Sequence, residues 1–547
     1  GGTIVGSNSL RIVSVGDITN TSGTIKGGNV ALASRSGSII NQTTSTAQGT
    51  NKSSSTLIGK TSVIEATGSL VLSAKKDITN IGAVVSAGGD ATLVAGRSIS
   101  FDTIENKSGS ATTTRSSNLF GSTTKRTTTS SVKQVGSELT TGGTLVAQAG
   151  KDITFAGTEV KVAGDAALLA GGNVGIVSRE NSSVTTVKKS SSGIGVGGSV
   201  YGTQKSTQKS TSVRNDASTL DVGGDAVIVA GKDVTVRGSD VNVAGSGLIS
   251  ATNVNVIAGR DYDETRTRTV TTGIGKIVGS NQAGGNVDKA STGTRTATGT
   301  EFGSSAGKGA AQVAAGASAE GGANASGGVA LMSRTVRTVD TTDSRNVASN
   351  LRFGGDAQID ATGTVMLKGS SLDAAGALGI NANRLDVLAG QDVKTSRVQT
   401  DTTNLGLMTS TANQGSTSAT AGMSAVGQGM PGGNADAGAG VASSTDNRVS
   451  LMEQSIVDTK TRDVTSVGSR ITSGKGLTAN VRDTITLVGS SLKSGGDMTL
   501  DAGNIVSKAA EDVHETSTTS MQFATGYYAG AGGGASAQAN GSAGLGG

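Results

Sequence analysis

Short runs of alternating hydrophobic and polar residues recur along the chain, separated by one or two residues of Gly, Asp or Ser. Segment 223–259 contains four such runs: 227–229, 234–236, 241–243 and 254–256. A period of two is typical of β-strands with one buried face. The gaps are too short for hairpin loops or crossover helices, so the chain must turn a corner and continue in the same rotational sense. This path predicts an all-β fold, a right-handed parallel β-helix with about 20 residues per coil.

Glycine and aspartate recur at the corners of the predicted coils. Gly-Gly-Asp opens a coil at 88–90, 223–225, 354–356 and 495–497. Glycine supplies the positive φ of a tight corner, and we expect Asp side chains such as Asp225 and Asp233 to bond their own downstream backbone. Calcium binding is the alternative interpretation, but the pattern G-G-x-G-x-D of calcium-binding coils is not met at any Gly-Gly-Asp.

Polar segments rich in Ser and Thr interrupt the coils and predict hairpin-like extrusions from the β-helix. Their approximate bounds are 41–60, 105–137, 178–218, 261–350, 394–470 and 511–547. In segment 178–218 two polar arms flank a glycine-rich tip at 193–202, which favours an antiparallel ribbon. Since the chain begins within a repeat and ends within an extrusion, we expect one continuous solenoid region that is a fragment of a larger protein.

The composition supports stacked coils over ordinary globular domains. Among 547 residues there are 85 glycines, one proline, no tryptophan and only 2% aromatic residues, whereas thin interior columns of Val, Ile, Leu and Ala suffice for coils. A formal net charge of +5 is mildly basic, and we expect no nucleic-acid partner. The absence of cysteine excludes disulfides and thiolate metal sites.

The tips of the extrusions are apolar and rich in glycine, and we select them as contacts with a membrane or a partner. One tip is too short to span a bilayer, because a spanning strand needs about 9–11 residues with an apolar face. Several tips that pair edge to edge could present a joint apolar face to lipid. Disordered spacers are the alternative. The selected residues are Gly193, Ile194, Val196, Tyr201, Ile274, Ile277, Val278, Leu405, Leu407, Phe523, Tyr527 and Tyr528.

Two motifs suggest a cofactor-binding or catalytic site, but the residues around each motif do not support one. Residues 193–198 match G-x-G-x-x-G, but a dinucleotide site needs a helix next, and a polar Thr/Lys/Gln arm follows instead. His514 is the only histidine, in a polar arm where a solvated side chain is expected. We therefore predict no catalytic residue, no cofactor and no metal site.

Two further readings of charged residues remain open. Paired carboxylates on one face of a β-helix could cleave glycosidic bonds, but the acids recur at corners and the coils lack clustered aromatic residues. The basic residues of the arms could bind a polyanion such as lipopolysaccharide, or could protect exposed strand edges from pairing with other chains. These residues are Lys188, Lys189, Arg266, Arg268, Arg334 and Arg337.

Coils such as GGDAVIVAGKDVTVRGSDVNVAG, with Ser/Thr-rich arms after SRENSS, DETRTRT and EDVHETSTTS and with glycine-rich tips, resemble the haemagglutinin repeats of filamentous-haemagglutinin-like exoproteins. They look most like the second, more C-terminal repeat region of contact-dependent growth inhibition effectors. The resemblance covers essentially the whole chain. It implies two-partner secretion through a dedicated outer-membrane partner, display on the bacterial cell surface, and either adhesion or toxin delivery.

The function predicted from the sequence is that of a non-catalytic β-helical delivery segment of a secreted exoprotein, which carries a toxin to neighbouring bacteria. In this reading the partners are the secretion partner and the target outer membrane or a surface receptor. The alternatives are a filamentous adhesin that binds host cells and a carbohydrate-active β-helix enzyme.

Overall fold

The computed structural model describes the backbone of residues 1–50, 52–287, 291–292, 311–425 and 432–544. It describes the side chains of residues 1–50, 52–276, 330–407 and 449–527. Within these ranges nearly all regular structure is β-strand, and one 3₁₀-helix spans Val196–Gly198.

The strands of the first half of the chain alternate between short coil strands and longer extruded ones. In chain order they are β1 (Thr3–Ser14), β2 (Ile18–Thr21), β3 (Thr24–Ser34), β4 (Ile39–Gln42), β5 (Ser45–Thr50), β6 (Ser53–Ile58), β7 (Val63–Ala66), β8 (Leu70–Ala74), β9 (Ile78–Ile81), β10 (Val84–Ala87), β11 (Ala91–Ala95), β12 (Ile99–Asp102), β13 (Ile104–Asn118), β14 (Gly121–Val135), β15 (Ser137–Thr141), β16 (Leu145–Ala149), β17 (Ile153–Ala156), β18 (Thr158–Val162), β19 (Ala166–Ala170), β20 (Val174–Val177), β21 (Arg179–Ile194), β22 (Ser199–Asp216), β23 (Thr219–Val222), β24 (Ala226–Ala230), β25 (Asp233–Arg237), β26 (Asp240–Val243), β27 (Gly247–Ala251) and β28 (Asn253–Ile257).

The second half of the chain follows the same plan with longer extruded strands. Its strands are β29 (Gly259–Val287), β30 (Ser291–Thr292), β31 (Ala311–Val347), β32 (Asn350–Phe353), β33 (Ala357–Ala361), β34 (Thr364–Lys368), β35 (Ser371–Ala374), β36 (Leu378–Leu388), β37 (Gly390–Ala425), β38 (Gly432–Val467), β39 (Arg470–Ser473), β40 (Leu477–Val488), β41 (Ser491–Ser494), β42 (Met498–Lys508) and β43 (Val513–Gly544).

The coil strands stack in parallel on the equivalent strands of the next coil, in three ladders. One ladder runs through β7, β10, β15, β18, β23 and β26, and a second through β8, β11, β16, β19, β24 and β27. The third runs through β9, β12, β17, β20, β25 and β28. Asn20 bonds Asn41 at a separation of 21 residues, which is one coil. The predicted parallel β-helix is confirmed.

The interior of the coils is a set of columns in which like residues stack on like. One column of fully buried side chains contains Ile99, Ile153, Val174, Val234, Val254 and Val365. β-Branched side chains suit these positions because they are stiff and pack well on a pleated surface. Each buried Val or Ile contributes roughly 1.5–3 kcal/mol through removal from water. Phe101 and Phe155 add a tilted ring pair with centroids 5.5 Å apart.

The corner aspartates bond the next coil and not their own downstream backbone. Oδ1 of Asp233 accepts from the side-chain amide of Asn253 at 2.8 Å. Oδ1 of Asp225 accepts from the backbone N–H of Ser246 at 2.7 Å, and Oδ1 of Asp356 accepts from that of Ala377 at 2.8 Å, 21 residues further along in both cases. The expectation of bonds to their own downstream residues is therefore wrong. Each such carboxylate links its corner to the corner of the next coil.

The sequence pattern also misplaces one interior residue. We expect both Val229 and Val236 to face inward, and Val236 is buried. In β24, however, the buried positions are Ala226, Ile228 and Ala230, so Val229 points outward. Pairing with the neighbouring strands sets this register, since Ile228 stacks between the buried Leu168 and Ile249, whereas Val229 lies beside Ser250 in the outward column.

The extruded strands form a second, antiparallel sheet. Each hairpin pairs internally and also with the hairpin that follows it in the chain, as β14 does with β21 and β22 with β29. Among the described residues this sheet has 12 strands, in the order β43, β38, β37, β31, β29, β22, β21, β14, β13, β6 and β5, with β30 paired to β31. The arms therefore lie side by side, and their spacing follows the spacing of the coils that carry them.

Candidate functional site

The extruded sheet aligns one apolar residue from each of six neighbouring strands. Directly opposite residues of antiparallel strands carry their side chains on the same face. The Cα pairs run without a break across β21, β22, β29, β31, β37 and β38. We call this set the apolar row: Ile194, Tyr201, Ile274, Met332, Leu405 and Met452. At about 4.8 Å per strand, the row extends for roughly 24 Å.

The apolar row is open to solvent. The relative exposures of its first five members lie between 49% for Leu405 and 63% for Ile194. Single exposed apolar residues are ordinary, whereas a contiguous exposed patch marks a contact surface for a membrane, a partner or a ligand. The coils bury Ile and Leu throughout, so the sheet sets the Ile and Leu members of the row apart from the core.

Bulges beside the apolar row expose three more leucine side chains to solvent. The pairing shifts between Ala330 and Met332, between Leu405 and Met408, and between Ser450 and Met452. The residues inside these shifts include Leu331, Leu407 and Leu451, all more than 60% exposed. A bulge re-aims side chains and bends its strand. The three lie on adjacent strands, so the bulges broaden the apolar surface.

The residues selected from the sequence fall in several places. Ile194, Tyr201, Ile274 and Leu405 belong to the apolar row, and Leu407 lies in a bulge next to it. Phe523 and Tyr527 are exposed on β43, and Val196 is half-buried in the 3₁₀-helix. The side chains of Ile277, Val278 and Tyr528 lie outside the described residues.

Gly193 lies on the opposite face of the sheet from the apolar row. It faces Gly121 and Gly202 directly, and Gly202 faces Gly273. A Cβ on Gly202 would lie 2.1 Å from the backbone oxygen of Val196. The 3₁₀ turn thus folds closely over this row of glycines, and the apolar row on the other face stays uncovered.

Sequence reasoning missed several residues of this surface. Met332 and Met452 belong to the apolar row, while Phe120 and Val200 are exposed at the tips of their hairpins. The segments VALMSR and VSLMEQ, which both pair with β37, carry a weak signal, since both place Leu-Met within polar arms. Their alignment with Ile274 depends on the pairing of distant segments, which local patterns do not contain.

The polar motifs do not form a reactive centre in the structure. The G-x-G-x-x-G segment leads through the 3₁₀ turn into strand β22, so the helix of a dinucleotide site is replaced by a strand. His514 is mostly exposed and pairs with Asp463 on the neighbouring strand. The described residues contain no cluster of His, Asp or Glu suited to a metal ion. They also contain no helix with the length and hydrophobicity of a membrane span.

A groove of about 950 Å³ runs along the coils. Its walls include Val162, Val222 and Val243, and the acids Asp221 and Asp373 stand at its side. Oδ1 of Asp221 accepts from Asn242 at 2.8 Å, and Asp373 pairs with Arg470 at 3.4 Å. Both carboxylates thus already have partners, as expected of cross-links between coils.

Comparison with known proteins identifies one similarity. A family model described as hemagglutinin repeat matches five overlapping segments, 59–122, 120–206, 200–334, 330–461 and 451–547. These segments together span residues 59–547. No curated protein and no solved structure matches the chain.

Proposed function

Because the chain belongs to the hemagglutinin-repeat family, a family of filamentous-haemagglutinin-like regions, we propose that it is a rigid, non-catalytic delivery segment of a secreted cell-surface exoprotein. In this proposal the exoprotein carries a toxin to neighbouring bacteria, and the segment engages the outer membrane of the target cell. An outer-membrane secretion partner exports it. The family is generally structural, which supports the non-catalytic role.

The observation that carries this proposal is the apolar row. Its members come from three extrusions that are far apart in sequence, yet they lie on one face and at one height. The coils provide this alignment, because strands anchored on successive coils keep a constant offset. Six neighbouring strands satisfy each other's backbone groups, which is the condition for entering an apolar medium. The β-helix is then a scaffold and the extruded sheet is the part that contacts the membrane.

Dye-loaded vesicles with the lipid composition of an outer membrane test this proposal. The protein is compared with a variant in which Ile194, Tyr201, Ile274 and Leu405 are replaced by Ser or Asn. A control variant changes exposed apolar residues outside the row, namely Val15, Leu57 and Val71. We expect binding and leakage with the protein and the control, and loss of both with the row variant. Equal binding by all three, or none by any, would remove the membrane role.

Adhesion to host surfaces is the second candidate function, and the other face of the extruded sheet favours it. On that face one residue position holds only Ser or Thr across eight neighbouring strands. The members are Thr129, Thr185, Ser210, Thr265, Thr341, Ser396, Thr461 and Thr516. A regular line of hydroxyl groups suits a glycan-covered surface. Binding to host cells that survives loss of the apolar row would support adhesion over delivery.

A further inference from the structure

A block of basic residues lies on the same face of the extruded sheet as the apolar row. It covers three successive same-face positions on β14, β21, β22 and β29. Six of its twelve residues are cations, five are Ser or Thr, one is Val and none is acidic. We call it the basic block: Thr124, Arg126, Thr128, Thr186, Lys188, Ser190, Lys205, Thr207, Lys209, Arg266, Arg268 and Val270.

The cations of the basic block occupy directly opposite or diagonal positions on neighbouring strands. Arg126 lies directly opposite Lys188 across β14 and β21. Thr207 lies opposite both Lys188 and Arg268, and Lys205 and Lys209 flank it two residues away on the same strand. Like charges that are directly opposite in a sheet destabilise it, and diagonal neighbours are within reach of long side chains. The fold alone gains nothing from this arrangement.

Carboxylates neutralise little of the basic block. Arg266 pairs with Asp340 at 2.8 Å, and that hydrogen bond raises the pKa of Arg266. Within the described side chains the remaining five cations form no ion pair, and all five are exposed. The hydroxyl groups between them are further donors. Five free cations among hydroxyl groups are suited to several phosphate or sulfate groups at once.

The position of the basic block relative to the apolar row indicates which kind of anionic partner fits both surfaces. Six residues separate Lys188 from Ile194 along β21, and six separate Arg268 from Ile274 along β29, a distance of about 20 Å. A soluble polyanion would use the cations and leave the apolar row in water. A lipid surface offers phosphate groups to the cations and an acyl boundary to the apolar side chains.

We propose that the basic block binds the phosphate-bearing headgroups of an anionic lipid surface while the apolar row enters the same surface beside it. This inference rests on the proposed membrane role and adds its lipid class. The sheet then lies with this face on the membrane, and the glycine and hydroxyl face points away. Binding depends on the anionic lipid content and weakens with salt.

Two charge-matched variants test the inference. The first replaces Arg126, Lys188, Lys205 and Arg268 by Gln. The second replaces four exposed cations of the opposite face, Lys125, Lys133, Lys189 and Arg337, by Gln. Both lose the same net charge, so only the face differs. Sedimentation with phosphatidylcholine vesicles, with and without phosphatidylglycerol, gives the affinities, and amide hydrogen exchange in the coils verifies that each variant is folded.

We expect the block variant to lose binding to anionic vesicles by about fivefold per charge, or several hundredfold, while the opposite-face variant stays close to the unmodified protein. Equal losses of vesicle affinity in the two variants would overturn the inference, because net charge alone would then explain the binding. Tight binding of dextran sulfate that displaces the protein from anionic vesicles would overturn it in favour of a soluble polyanion. A third result would overturn this inference and leave the membrane role intact. In that result the block variant keeps its preference for anionic lipid, while the apolar-row variant loses binding. Binding to neither vesicle would overturn both.

Discussion

The hydroxyl group of Ser218 donates a hydrogen bond of 2.7 Å to the backbone oxygen of Val177. Val177 is the last coil residue before β21, and Ser218 directly precedes the strand with which the coil resumes. The bond therefore closes the base of the extrusion. The same relationship closes three others, with distances of 2.6–2.7 Å: Ser137 to Asp102, Ser349 to Ile257 and Ser469 to Leu388. A buried serine thus closes the base of four extrusions that differ in length.

Ser218→Ala is expected to loosen the base of the β21–β22 hairpin. Ser218 is fully buried, and its Oγ also accepts from the backbone N–H of Thr158 at 3.1 Å. Loss of these bonds where water has no access costs about 1–3 kcal/mol. Hydrogen exchange of Thr158 and of the first residues of β21 measures the change. Ser206→Ala, whose hydroxyl bonds Thr269 on the sheet surface, is the control and should stay within about 0.5 kcal/mol. Equal effects of the two substitutions would contradict the closing role.

Val236→Asp and Val229→Asp form a matched pair that tests the interior. Val236 is 1% exposed within a column of apolar residues, so an aspartate there buries an unpaired carboxylate and should cost about 3 kcal/mol or more. Val229 points outward in the same coil, and an aspartate there should cost less than about 1 kcal/mol. Urea unfolding followed through coil amides distinguishes them. If Val229→Asp were the more harmful change, the register of β24 would be wrong.

These two valines also show how far the sequence predicts the fold. The period of two and the recurring corners are local signals, so the parallel β-helix follows from them. The choice of face within AVIVA does not follow from them, because outward and inward positions are both apolar, and pairing with the neighbouring strands decides it by placing Val229 beside Ser250. A strand that is apolar on both faces carries no register signal of its own.

The candidate site was predictable in part for a related reason. Ile194, Tyr201 and Ile274 are recognisable because apolar residues stand out at the tips of polar arms. Met332 and Met452 join them only through pairings between segments of different length, and the coils set those pairings. The basic block arises in the same way, since Arg126 and Lys188 become neighbours only when two extrusions lie side by side.

Acid is expected to remove the contribution of the Arg214–Asp263 pair from the extruded sheet. The hydrogen bond from Arg214 lowers the pKa of Asp263 below its usual range, against a smaller effect of burial. A lowered folded-state pKa means that the stabilisation is present above the unfolded value of about 3.9 and is lost as pH falls through the folded value. The pair is partly exposed, so its contribution is about 0.2–1 kcal/mol. Asp263→Asn should therefore be less stable than the unmodified protein at about pH 6, and the difference should vanish below about pH 3. A difference that persists in acid would assign the effect to another contact.

A cross-strand disulfide tests whether separate extrusions form one sheet. Tyr201 and Ile274 belong to different extrusions and are directly opposite across β22 and β29. Opposite residues of an antiparallel pair have Cα atoms about 4.5–5.5 Å apart, which lies within the roughly 4.4–6.8 Å that a disulfide spans. The chain contains no cysteine, so a double variant with Tyr201→Cys and Ile274→Cys offers a single possible intramolecular bond. Mild oxidation followed by mass spectrometry of the linked peptides should find it in high yield. The control combines Tyr201→Cys with Thr271→Cys, because Thr271 is opposite Gln204 and lies on the other face, and it should remain reduced. Arms that move independently would link both pairs to similar extents or link neither. The shared sheet would then be wrong, and so would the apolar row and the basic block, which depend on it.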